Sequence, residues 1–247
     1  MPRFDQDFEN YNHNGAGSLQ FSGVRPEKLE ELEYSIITSI MDITGSVTNF
    51  SKELLDCQKS IINNLKKHPR SENVLFRFIQ FNEQVFEIHG FTLLNDIDIN
   101  SYQLPVCEGM TALNEAAYNG IMANLKYGHN LASKNYKCNS YVFLITDGDN
   151  NLPGPTAEDI KNEVEEFFIS EKKVSSHISL LFGINTKKYR KKLELFANEA
   201  NFTKFIDAGD LTDTTIAKIC GFVSKSASSQ ISNLGKTGSI DVNDLNY

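Results

Sequence analysis

The chain contains no tryptophan, and only four cysteines, four methionines and six prolines among 247 residues. The cysteines, Cys57, Cys107, Cys138 and Cys220, stand far apart and form no Cys-x-x-Cys pair. That spacing excludes a zinc ribbon and a dense disulfide frame, and predicts scattered reduced thiols. The five histidines (His13, His68, His89, His129, His177) show neither ligand nor catalytic spacing. No GxxxxGK[ST] run is present to cradle a phosphate. No apolar run approaches a membrane span, and the opening MPRFDQDFEN lacks the apolar centre of a secretory signal. The expectation is a soluble, cytoplasmic protein with no membrane partner. Positive charge is also short: the net charge is −8. Phosphate neutralisation needs a basic face, so no nucleic-acid partner is expected. The one basic run, Lys187 to Lys192, reads as the solvated start of a helix.

What is present is an alternation of apolar strands and amphipathic helices. Residues 34–42 are apolar on both faces, as in a central strand of a parallel sheet. Helical spacing follows over 47–66. Val74 to Phe81 and Val85 to Ile88 read as two strands joined by Asn82-Glu83-Gln84, a hairpin at a sheet edge. Residues 91–109 read as a long loop. Thr111 opens a helix through Leu113, Ala117, Ile121 and Leu125. Strands are predicted at Tyr141–Ile145, Ile178–Ile184 and Lys204–Ile206, and helices over 156–171, 188–200 and 211–227. Such alternation implies right-handed crossovers and a Rossmann-like, open, mostly parallel sheet, with one antiparallel edge strand and helices on both faces. Residues 1–29 are expected to be a flexible arm, 30–227 the domain, and 228–247 a mobile tail.

Two predicted strands end abruptly in polar residues. One gives Asp42-Ile43-Thr44-Gly45-Ser46, the other Thr146-Asp147-Gly148. In open α/β sheets, sites form outside the carboxyl ends of strands, where chain order reverses. Gly109-Met110-Thr111 should reach the same edge. Asp42, Thr44, Ser46, Thr111 and Asp147 all offer oxygen, which suits Mg²⁺, Mn²⁺ or Ca²⁺ better than zinc or copper. Taken singly, these residues also fit ordinary roles: Thr44, Ser46 and Thr111 as helix caps, and Asp147-Gly148 as a turn. Asp96-Ile97-Asp98-Ile99-Asn100 begins like an EF-hand loop, but Ser101 stands where glycine is needed and Cys107 where the last glutamate belongs.

At these residues the sequence resembles the von Willebrand factor A (vWA) or integrin I-like family, in its intracellular prokaryotic or phage type. The family's metal-ion-dependent adhesion site (MIDAS) combines Asp-x-Ser-x-Ser, a distant threonine and a later Thr-Asp-Gly. Here Asp42, Thr44 and Ser46 match the first element, with Thr44 replacing a serine; Thr111 matches the second and Asp147 the third. The resemblance spans roughly residues 30–225 and implies a Mg²⁺-type ion completed by a partner's Asp or Glu. It further implies an adaptor rather than an enzyme, with an AAA+ ATPase or a stress-system kinase or phosphatase as the kind of partner met. The alternative is a Mg²⁺- or Mn²⁺-dependent hydrolase of phosphoesterase type using the same ion to activate water. Glu108 and Asp149 are then the nearby candidates for a general base.

Overall fold

A computed structural model describes residues 8–170, 174–210 and 212–234. Its centre is β3 (Glu33–Asp42), buried along almost its whole length between β4 (Val74–Phe81) and β6 (Lys137–Thr146). β7 (Val174–Ile184) and β8 (Lys204–Gly209) extend the sheet beyond β6. On the other side β5 (Val85–Leu93) follows β4, then β2 (Ser18–Val24) and β1 (Phe8–Asn14). The order is β1-β2-β5-β4-β3-β6-β7-β8. The β4/β5 and β1/β2 pairs are antiparallel, and every other pairing is parallel. This is the mixed α/β, Rossmann-like, mostly parallel arrangement expected from the sequence.

Helices cover both faces. α2 (Leu113–Ser133), α3 (Ala157–Ser170) and α4 (Arg190–Glu199) bury Leu113, Ala117, Ile121, Ile160, Val164 and Leu193 in one core layer with Ile36, Ile40 and Leu144. α1 (Ser51–Lys66) and α5 (Asp213–Ser232) bury Leu54, Ile61, Ile219 and Val223 in the other, with Ile37, Met41 and Phe143. Alternate residues of β3 thus serve opposite cores, which is why it reads as apolar on both faces.

Three expectations need correction. The flexible N-terminal arm is a β-hairpin from residue 8 to 24, and it displaces the β4/β5 hairpin from the sheet edge. Leu19, Phe21 and Val24 are buried, the Tyr127 hydroxyl donates to the Val24 carbonyl at 2.6 Å, and the Ala16 N–H donates to Glu163 Oε1 at 2.5 Å. The expected tail is structured at its start, because α5 runs to Ser232 and buries Ile231, with Leu234 buried beyond it. The rest of that tail, and residues 1–7, lie outside the described residues. Finally, the cysteines are not all scattered thiols. Cys57 on α1 is joined to Cys220 on α5, with Cα atoms 5.8 Å apart across 163 residues of sequence, leaving Cys107 and Cys138 free.

A bridge closing so long a loop restricts the unfolded chain strongly. Thiol titration of the unreduced, denatured protein should find two thiols rather than four. The Cys57→Ser, Cys220→Ser double variant should lose about 2–4 kcal/mol of stability. Four titratable thiols, or a melting curve indifferent to reductant, would return these residues to simple core packing.

Candidate metal centre

The crossovers leaving β3 and β6 diverge, since β3 leads to β4 on one side and β6 to β7 on the other. Near that switch point hydrogen bonds link Asp42, Thr44, Ser46 and Asp147, and Thr111 lies beside the turn at Gly148. Asp42 closes β3 and is fully buried. Its Oδ1 accepts the Thr44 N–H at 2.8 Å, and its Oδ2 accepts the Thr146 hydroxyl at 2.5 Å. The Thr44 and Ser46 hydroxyls lie 3.0 Å apart, and Ser46 Oγ donates to Asp147 Oδ1 at 2.6 Å. Thr111 packs over the turn after β6: a Cβ added at Gly148 would lie 3.3 Å from Thr111 Oγ1. A side chain at position 148 would therefore press on Thr111, which would have to give by a few tenths of an ångström.

The hydroxyls are not spent on helix caps. Thr44 precedes a 3-10 turn (Gly45–Phe50) without capping it through its side chain, and α1 begins after Phe50. α2 is preceded by Ala112, not Thr111, and has no side-chain cap.

Neighbouring segments fix this arrangement. The Gly45 N–H donates to the Gly109 carbonyl at 3.5 Å, the Glu108 N–H to the Ile43 carbonyl at 3.1 Å, and the Thr48 hydroxyl to the Cys107 carbonyl at 3.2 Å. Gly109 has φ of 81°, a left-handed conformation that glycine adopts without strain. Asn151 clamps Thr111 twice: its Oδ1 accepts the Thr111 N–H at 2.8 Å, and its N–H donates to the Thr111 carbonyl at 3.1 Å. Thr146 and Asn151 were not assigned from sequence. Thr146 was visible in the Thr-Asp-Gly turn, but Asn151 reaches Thr111 only through the fold.

The electrostatics are unbalanced. Neither Asp42 nor Asp147 forms an ion pair among the described residues. Burial pushes the Asp42 carboxyl up to about 6, against the Thr146 and Thr44 hydrogen bonds and with a small push from Asp147. Burial also raises Asp147, opposed by Ser46. Two desolvated carboxylates facing three hydroxyls fit a hard divalent cation. Among the described residues no cluster of three His, Cys, Asp or Glu side chains could hold a metal, so an ion here would depend on the hydroxyls. Asp149, one candidate base, is committed to Lys192 at 2.5 Å, and Glu108 is exposed.

The sign of the pH dependence follows. Asp42 is raised above its unfolded value of roughly 3.9. Without metal, its contribution is fully present below that value and is lost as pH rises through about 6. The loss should be about 2–3 kcal/mol. A divalent cation competes with the proton, so stabilisation by Mg²⁺ should be absent near pH 4 and grow above 6. Melting curves across pH, with Mg²⁺ and with EDTA, measure this. Superimposed curves at neutral pH would mean that no ion binds.

No family model and no curated protein matches the chain. Solved structures do. Proximal thread matrix protein 1 from the mussel byssus matches with a TM-score of 0.53 at 17% identity, covering 79% of this chain and 46% of that one. A second structure of that protein, described as having a zinc-occupied MIDAS motif, matches at 0.52 and 16%, covering 81% and 47%. The PilB minor pilin from Streptococcus sanguinis matches at 0.55 and 12%, covering 91% and 78%. The pilus adhesin SpaC from Lactobacillus rhamnosus GG matches at 0.52 and 13%, covering 91% and 34%. The chain thus spans about half the length of the byssus protein and a third of SpaC. At such identities these likenesses establish the fold alone, and the fold is that of vWA-like domains.

Proposed function

We propose that this chain is a vWA-type binding module that captures an acidic side chain of a protein partner through a divalent cation. Asp42, Thr44, Ser46, Thr111 and Asp147 would hold the ion, with Mg²⁺, Mn²⁺ or Ca²⁺ suiting the all-oxygen donors. The observation that carries the reading is a pair of buried carboxylates, Asp42 and Asp147, with no ion-pair partner among the described residues and with the linked Thr44 and Ser46 hydroxyls beside them. Once bound, the ion would have coordination positions left over from the five protein oxygens, held by exchangeable water that a partner carboxylate can displace. Asp42 and Asp147 supply the charge that holds it, the hydroxyls orient it, and the Gly109 and Asn151 contacts keep Thr111 and the Asp42 loop in place.

The rim supports a protein partner. Leu104, Val106 and Met110 are exposed on the segment pinned to the Asp42 loop. Exposed apolar side chains beside a charged anchor are what protein interfaces use. The descriptions of the similar structures as an adhesin, a minor pilin and a matrix protein favour a binding role over a hydrolytic one. The finer expectation of an AAA+ ATPase or stress-system partner remains a proposal for the identity of that protein.

The test is calorimetry with Mg²⁺ and Mn²⁺, then partner capture by the immobilised full chain with Mg²⁺ or EDTA. One metal-binding event and metal-dependent capture are expected. Hydrolysis of a phosphoester with no metal-dependent capture would favour the enzyme reading.

A further inference from the structure

β2 and β5 lie side by side but share a single ladder position, Gly23 opposite Phe91. Toward Gln20 and Val85 the strands part, and a cavity of about 690 Å³ opens between them, bounded by Arg77 of β4 and Asn119 of α2. Arg77 is fully buried. Its Nε donates to Glu87 Oε2 at 2.6 Å, and its Nη2 donates to Asn119 Oδ1 at 2.9 Å and the Gln20 carbonyl at 3.4 Å. Glu87 Oε1 in turn accepts the Ser22 N–H and hydroxyl at 2.9 and 2.6 Å. The ion pair thus stands in for the missing β2–β5 ladder. One donor is left over: Arg77 Nη1 is buried and has no partner. The Phe21 and Phe91 rings, 5.9 and 5.8 Å from the guanidinium carbon, offer no oxygen. A buried donor without an acceptor is costly, and the cavity beside it is where an acceptor can enter.

We propose that this cleft is a binding site for a neutral saccharide, distinct from the metal centre. Charge argues against an anion, because Glu87 already balances Arg77 and Glu115 adds a second carboxylate to the wall. The rest of the polar lining is mainly carboxamide: Asn10, Asn12, Gln20, Gln84 and Asn119. Carboxamides both donate and accept, as sugar hydroxyls do. A ligand dense in hydroxyls matches that lining, which includes Arg77. An extended peptide would instead call for side-chain pockets at alternate positions, and Val85, Tyr11 and Phe21 are the apolar lining here.

The test titrates the full chain, in EDTA, with glucose, galactose, mannose, N-acetylglucosamine, lactose and maltotriose. Side-chain amide and Arg Nε–H resonances are followed by NMR. At least one sugar should shift the Arg77 Nε–H and Gln84 amide signals with a Kd in roughly the millimolar range or tighter. Asn12 and Gln84 are exposed and serve no core. An N12A/Q84A variant should therefore melt as wild type and bind about tenfold more weakly, the effect of two lost hydrogen bonds. Three results would overturn the proposal: no shift with any sugar at about 50 mM, equal binding by the variant, or larger shifts with tetraglycine than with any sugar. Because EDTA is present throughout, none of these outcomes depends on the metal reading.

Discussion

A chain beginning at Arg25 is expected not to fold. The hairpin it lacks buries Leu19, Phe21 and Val24 against α2 and the β4/β5 pair. Each such side chain is worth about 1.5–3 kcal/mol of burial, so the three together approach 5–9 kcal/mol. That is comparable to the whole net stability of an ordinary domain, about 5–15 kcal/mol. Truncation would also open the stacked pair of Phe91 and Tyr127, whose centroids are 4.5 Å apart, and strip Glu87 of its bonds to Ser22. The single substitution Phe21→Ala should cost about 3–5 kcal/mol, in the range of aromatic truncations in a core. Phe21 stacks on Tyr11 at 4.7 Å and meets Phe91 edge-on at 5.8 Å, so the site has little freedom to collapse. Denaturant unfolding of Phe21→Ala and of the truncated chain measures both. A truncated chain with a wild-type melting curve would make the hairpin an accessory.

The hairpin also marks the limit of what could be read from the sequence. β4 was legible to the residue because every position in Val74–Phe81 is buried and all but Arg77 and Gln80 are apolar. Residues 8–12 of β1 bury no side chain fully, and β2 buries Leu19, Phe21 and Val24. Leu19 and Phe21 alternate with polar residues, and the intervening Asn14-Gly15-Ala16-Gly17-Ser18 reads as disorder until Glu163 is seen to hold the Ala16 N–H. The end of α5 was hidden by serines. Gln230 there is buried, and its carbonyl accepts the Asn139 side-chain amide at 2.9 Å, so a polar composition concealed a packed turn. Cys57 and Cys220 meet only because α1 and α5 pack together, which no spacing reveals. The candidate site was legible for the opposite reason. Its oxygens sit at strand ends, where an apolar run stops at a carboxylate, and the alternation of strands and helices already implies that these ends share one edge.

Asp147→Ala is expected to abolish most partner binding while leaving the fold as stable as before, or slightly more so without metal. The two effects separate because the carboxylate serves the ion rather than the core. Asp147 accepts one side-chain hydrogen bond, from Ser46, and burial works against its charge. Removing it relieves that desolvation and costs a single bond of about 0.5–1.5 kcal/mol. Asp42 differs: its loss would strand the Thr44 N–H and the Thr146 hydroxyl in the interior. Asp42→Ala should therefore lose metal, and in Mg²⁺ or below about pH 6 should lose stability as well, by roughly 1–3 kcal/mol for each donor left unsatisfied. Thr111→Ala should fall on the Asp147 side of this division, since Asn151 bonds its backbone rather than its hydroxyl. For both Asp147→Ala and Thr111→Ala, partner affinity in Mg²⁺ should fall by about 2–5 kcal/mol, the cost of truncating one side of a buried charge pair. Affinity and melting temperature are measured side by side, in Mg²⁺ and in EDTA. In EDTA all three variants should bind the partner as weakly as wild type does, because the ion that joins the two proteins is gone. Wild-type affinity in Asp147→Ala would move the partner to another face. A melting temperature for Asp147→Ala far below wild type in EDTA would make the carboxylate a structural anchor and remove the basis of the metal bridge.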